Sequence, residues 1–141
     1  MKFDLHTHHD RCGHASGNIE DYVLAAIDSG LTAIGISDHS PYFAHEEDHL
    51  HPGIAMAKSE FGNYVQEVLR LKERYAGRIE VLLGVESDFF EDSVELYREI
   101  YAKYPFDYII GSVHHTRDVS IFNKNRWKKL DEAGQLADKR E

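Results

Sequence analysis

The spacing of apolar and polar positions changes several times along the 141-residue chain, and each change predicts an element. Residues 3–5 form a short strand. From Ile19 to Ser29 the apolar residues Ile19, Tyr22, Val23, Ala26 and Ile27 recur at the period of a helix face. Asn18, with Asp21 three positions on, predicts its N-terminal cap, and Gly30 predicts its end. The run "LTAIGIS" is uniformly small or branched and reads as a buried strand. A loop rich in histidine and acid follows, from Asp38 to about Ala57. Helical spacing returns from Ser59 to Ala76, with Phe61, Tyr64, Val65, Val68, Leu69 and Leu71 on one side and Gly77 closing it. "IEVLLGVES" predicts a third strand, buried on both faces. Asp92 with Glu95 predicts a second cap before "VELYREIYAKY", which Pro105 halts, and "FDYIIGSVHH" is a fourth strand. Four strands separated by helices predict an α/β fold with a parallel sheet and right-handed crossovers. No internal repeat or low-complexity linker divides the chain.

The polar residues at the strand ends give this pattern a chemical meaning. "LHTHH" follows the first strand, "SDHS" ends the second, "VESDF" the third and "SVHH" the fourth. In parallel α/β architectures the carboxyl ends of the strands form the active face. Four strands thus deliver histidine or carboxylate to one rim. His6 and His8 stand two apart on an extended segment, so both project to the same side. Two such imidazoles converge readily on one divalent ion, and a carboxylate such as Glu86 bridges ions and neutralises charge.

Composition narrows the partners. A net charge of −9 without a basic patch argues against nucleic acid or an anionic membrane, unless bound cations supply positive charge locally. Cys12 is the sole cysteine, which excludes an internal disulfide and suits a reducing, cytoplasmic setting. "MKFDLHTHH" has no apolar signal core, and no run approaches the roughly 20 apolar residues of a membrane span.

The segments "DLHTHHDRCGHASGNIEDYV", "IGISDHSPY", "VLLGVESDF" and "YIIGSVHH", in that order, closely resemble the PHP (polymerase and histidinol phosphatase) superfamily, and within it the histidinol-phosphate phosphatase branch. The resemblance runs to about Trp127. It implies a distorted (βα)7 TIM-like barrel with a centre of two or three divalent ions (Zn, Mn or Fe). By position, His6 and His8 resemble paired ligands of one metal, Glu86 the bridging carboxylate, and His114 a ligand of the second metal. His14 and His39 resemble ligands of a third ion. Asp38 matches an acidic position suited to orienting a ligand or handling a proton, and is the candidate catalytic residue. His9 and His115, next to motif histidines, are expected to point away. His45, His49 and His51 are expected in solvent or in a substrate lid. Arg11 and Arg117 are candidate phosphate contacts.

The implied chemistry is phosphate monoester hydrolysis, L-histidinol phosphate to L-histidinol and phosphate, a step of histidine biosynthesis. Its physical logic is general: cations activate a water at neutral pH and hold the phosphoryl oxygens. A complete barrel takes about 250 residues, so residues 1–141 are expected to be the N-terminal portion of such a domain, with about four parallel strands. No histidine follows His115, and the tail "NRWKKLDEAGQLADKRE" reads as a helix. On this inventory the His6/His8/Glu86 site is the best furnished, and catalysis by these residues alone is expected to be weak. Two other readings stand beside it: a non-catalytic metal-binding or oligomerisation fragment that self-associates through open barrel edges, and a phosphoesterase acting on another substrate.

Overall fold

The computed structural model describes residues 1–116 and 119–122. It is a mixed α/β fold with parallel strands. Strand β1 (Phe3–Asp4) pairs with β2 (Ala33–Ile36), and β2 pairs with β3 (Glu80–Leu83), all parallel. A second parallel pair joins β4 (Glu86–Asp88) to β5 (Ile110–Ser112). A short antiparallel pair, β6 (His115–Thr116) and β7 (Val119–Ser120), follows. Helices α1 (Ile19–Asp28), α2 (Phe61–Arg74) and α3 (Val94–Tyr101) connect the parallel strands. Among the described residues no helix is long and apolar enough to cross a membrane.

The helices and the sheet share one core. Ile34 and Ile36 of β2, with Val81, Leu83 and Val85, pack with Ile19 and Val23 of α1, Tyr64, Val65, Val68 and Leu71 of α2, and Tyr97 and Tyr101 of α3. Alternation then turns Gly35 and Gly84 to the opposite face. There the Tyr108 ring covers both glycines, and a Cβ on either would meet that ring or its hydroxyl at under 3 Å. The Tyr108 hydroxyl donates to the Leu5 carbonyl (2.6 Å), tying the approach to β5 back to the end of β1. Burial pushes this phenol up to about 12, so it remains a donor at ordinary pH.

The α1 boundary follows its sequence signal. Asn18 and Asp21 form a reciprocal capping box, and Gly30 adopts a left-handed conformation with φ 78° just beyond the helix. Two boundaries differ from expectation. The second cap is not formed: residues Glu91–Ser93 make a turn of 3-10 helix, and Ser93 precedes α3 without a side-chain cap bond. The third strand is interrupted at Gly84–Val85, so that β3 serves the first sheet and β4 the second. The Tyr64 hydroxyl, from α2, lies 2.7 Å from the Gly84 carbonyl and 3.0 Å from that of Ile36. The Ile36 carbonyl also accepts the Gly84 amide (2.8 Å), so the ladder toward β2 continues through the interruption. The helix expected in the tail lies outside the described residues.

Candidate metal centre

The break between β3 and β4 helps gather the site. Past it, the Glu86 amide donates to the Asp38 carbonyl (3.1 Å) and the Ser40 amide donates to the Glu86 carbonyl (2.8 Å), so His39 bridges in register with Glu86. On the other side, Glu86 of β4 lies opposite Ile110 of β5, whose strand leads to His114. From the opening segment, Thr7 is anchored to β2 through the Ser37 hydroxyl and the Gly35 carbonyl. His6, His8, His14, His39, Glu86 and His114 thereby line one cleft of about 240 Å³, together with Gly53, Ile54 and Phe122.

Three ligand atoms converge from the opening segment and β4. Nε2 of His6 and Nε2 of His8 are 3.1 Å apart. Glu86 Oε2 lies 3.1 Å from the His8 nitrogen and 3.6 Å from that of His6. Donors about 2.0–2.2 Å from a zinc-like ion stand roughly 3.3 Å from each other in a tetrahedron. The spacing therefore fits a divalent cation shared by His6, His8 and Glu86, which form one of three ligand-competent groups among the described residues. His14 belongs to a second group with His8 and Cys12, and His39 to a third with Asp88 and His114. His39 Nδ1 donates to the Ser40 carbonyl (2.8 Å), which leaves Nε2 as its lone-pair nitrogen, buried, without a hydrogen bond and 3.2 Å from Asp88 Oδ1. An orphaned buried imidazole nitrogen is also what a cation site requires.

The electrostatics agree with this crowding of opposite charge. His8 is raised to about 9 by its hydrogen bonds to Cys12 and Glu86, which outweigh burial. Burial pushes Glu86 up, but the hydrogen bond and charge of His8 prevail and hold it at about 2. His114 is raised, chiefly by Asp88, whereas burial and the neighbouring His8 lower His14. The stability that His8 contributes is complete below its ordinary 6.5 and fades as pH rises through about 9. That of Glu86 is complete above 4.5 and fades as pH falls through about 2. In chelator-treated protein the pair should give a plateau of thermal stability between pH 4.5 and 6.5 with a decline on either side. Melting curves across this range test it. His8→Asn should reduce the alkaline decline, leaving the part that His114 contributes, and an unchanged decline in that variant would refute the pairing.

Other expected residues have different surroundings. Asp38 is fully buried; its Oδ1 accepts from the His9 amide (2.5 Å) and lies 3.1 Å from His9 Nδ1, while Oδ2 has no hydrogen-bond partner. His9 is itself fully buried and packs edge-on against Tyr22, so Asp38 anchors the opening segment through its main chain. Arg11, expected to contact phosphate, instead pairs with Glu60 (3.1 Å) and with Glu67 of α2. Two nearby carboxylates take its fork. Arg117 lies outside the described residues. His115 turns to a separate hollow of about 270 Å³ with Tyr42, His45, His51 and Phe90. His45 and His49 are exposed, and His51 is half-buried.

Sequence reasoning passed over Asp88, a buried carboxylate two positions after Glu86 on β4. It accepts from the Ser112 hydroxyl (2.8 Å) and the Tyr42 hydroxyl (3.1 Å). It also lies 2.5 Å from His114 Nδ1 and 3.2 Å from His39 Nε2. The signal was present: a strand places residues i and i+2 on one side.

A parallel α/β scaffold with imidazoles and carboxylates gathered at its strand ends defines a metal-site domain. The chain belongs to the PHP domain family, whose model matches residues 4–138. It is 35% identical over 137 residues to a probable histidinol-phosphatase of Schizosaccharomyces pombe, covering 92% of this chain and 44% of that protein. A probable histidinol-phosphatase of Deinococcus radiodurans is 32% identical over 112 residues, covering 79% and 42%. The fold also superposes on the crystal structure of histidinol phosphate phosphatase from Lactococcus lactis complexed with zinc, L-histidinol and phosphate. That match has a TM-score of 0.79 and 20% identity, and covers 96% of this chain and 49% of the other. The chain thus spans about half the length of the relatives it matches.

Proposed function

We propose that this chain is the N-terminal portion of a PHP-type barrel, residues 1–141, and carries part of the metal centre of a histidinol-phosphatase. The observation that carries the reading is the convergence of His6, His8 and Glu86 at separations suited to one cation. The relatives' names and the zinc, L-histidinol and phosphate of the Lactococcus structure support the substrate, L-histidinol phosphate. His6, His8 and Glu86 hold one ion in this reading, with Glu86 and His114 serving a second and His14 and His39 a third. When bound, such ions supply Lewis-acid polarisation of phosphate and activation of water. The chain's own contribution is orientation. Glu86 presents one oxygen to the β1 histidines and the other to His114, whose Nε2 lies 3.7 Å from Oε1. Asp38 holds the segment bearing His6 and His8 against the end of β2.

The test is phosphate release from L-histidinol phosphate by the purified chain with added Zn²⁺, Mn²⁺ or Fe²⁺, beside a chelated control. Metal-dependent release is expected, at a low rate, and it should vanish in Glu86→Gln. Release that survives chelation or this substitution would refute the assignment.

The open edges favour a second reading, in which the chain acts as a metal-binding or self-association module. Among the described residues β1 pairs with β2 alone and β5 with β4 alone, while Phe3, Ile109 and Val113 beside these edges are exposed. Uncovered strands of this kind readily pair with another chain. Light scattering after size exclusion distinguishes the two: a dimer without turnover supports the module, and a monomer with turnover excludes it.

A further inference from the structure

We propose that Asp88 is a positioning residue for metal binding: its carboxylate takes the Nδ1 side of His114 and so fixes Nε2 as the nitrogen offered toward Glu86. The inference rests on reading the cleft as a metal centre and deepens it. The His114 ring lies between two carboxylates, with Nδ1 2.5 Å from Asp88 Oδ1 and Nε2 3.7 Å from Glu86 Oε1. These two separations have different meanings. Two donors on one zinc-like ion stand roughly 3.3 Å apart; the 2.5 Å approach of Nδ1 to Asp88 is too close for a shared ion and is an ion-pair contact, with the ring not yet turned into hydrogen-bond alignment. On the Glu86 side the gap is wide enough for a cation.

Asp88 is itself held in place. The Ser112 hydroxyl donates to Oδ1 at 2.8 Å and the Tyr42 hydroxyl to Oδ2 at 3.1 Å. Ser112 sits opposite Asp88 in the β4–β5 register, so the strand that leads to His114 also supplies a donor that aims its orienting carboxylate. Oδ1 additionally lies 3.2 Å from Nε2 of His39. A carboxylate on one nitrogen of a ligating imidazole fixes the tautomer, limits ring rotation and raises the basicity of the other nitrogen. Asp88 is 5% exposed, with a hydroxyl donor on each oxygen and His114 Nδ1 beside Oδ1, an environment that favours a negative charge.

The experiment is titration calorimetry with Zn²⁺, and with Co²⁺ read by its visible absorption, on the unaltered chain, Asp88→Ala, Asp88→Asn and Tyr42→Phe. Asp88→Ala should weaken one site by about 10–100-fold and alter the cobalt bands while leaving stoichiometry unchanged. Asp88→Asn, which keeps size and an acceptor oxygen, should recover part of the affinity and covers the case in which the alanine variant fails to fold. Tyr42→Phe, which removes one of the donors that hold Asp88, should alter the cobalt bands in the same sense as Asp88→Asn but by less, with stoichiometry unchanged, a graded spectral response that a merely structural role for Asp88 would not produce. Unaltered affinity and spectrum in both Asp88 variants would overturn the proposal. So would loss of a whole metal equivalent, which would make Asp88 a ligand. Failure of the unaltered chain to take up metal would overturn the metal-centre reading and this proposal with it.

Discussion

Replacing Glu86 with Gln is expected to remove tight metal binding from the chain. Glu86 Oε2 is the shared partner of His6 and His8, and Oε1 faces His114, so one neutralised side chain affects both sides of the cleft. Loss of an anionic ligand should exceed the roughly 10–100-fold cost typical of losing an orienting partner behind a ligand. Metal analysis after dialysis, with calorimetric titration, measures the effect. The same substitution removes the carboxylate that helps raise His8, so His8 should titrate closer to its ordinary value, with the Cys12 bond still acting on it. An imidazole NMR titration of His8 separates this from general unfolding. A Glu86→Gln chain that retains its full metal complement would show that the His6/His8/Glu86 convergence is an ion pair and no more.

The second large effect should come from Gly84→Ala, which lies beneath the site and touches no ligand. A Cβ at this position would stand 2.3–2.7 Å from three atoms of the Tyr108 ring. That ring cannot retreat freely, because its hydroxyl is tied to the Leu5 carbonyl and it also covers Gly35. Overpacking of this kind costs about 1–3 kcal/mol, visible in a urea melt. The substitution should also weaken metal binding, since Leu5 immediately precedes His6 and the displaced ring would pull on it. Pairing Gly84→Ala with Tyr108→Ala tests the mechanism: once the ring is gone, the added methyl should cost little, and the two changes should be strongly non-additive. Additive losses would mean that the strain lies elsewhere.

The elements that were legible in the chain are those whose causes are local. The α1 cap is a contact between residues three apart, and the apolar spacing of α2 survives as its buried face of Phe61, Tyr64, Val65, Val68 and Leu71. The break in the third strand was not legible, because it marks where the strand takes up a second partner, β5, and partner choice is set by the packed sheet. The second cap failed for a similar reason: Asp92 and Glu95 carry the right spacing, but a 3-10 turn places Ser93 before the helix instead. Arg11 shows the same limit at the site, since a sequence does not reveal that Glu60 and Glu67 stand beside it.

Sequence alone therefore determined the order of elements, the parallel α/β class and the residue types that collect at the strand ends, because hydrophobic period and chain connectivity fix them. Tertiary structure decided which of those side chains meet. It set His6 and His8 against Glu86, withdrew Arg11 from the cleft, and brought Asp88 behind His114. The physical reason is range: helix and strand signals act over a few residues, whereas a metal centre is assembled from donors as distant in the chain as His6 and His114, whose separation only the packed sheet fixes.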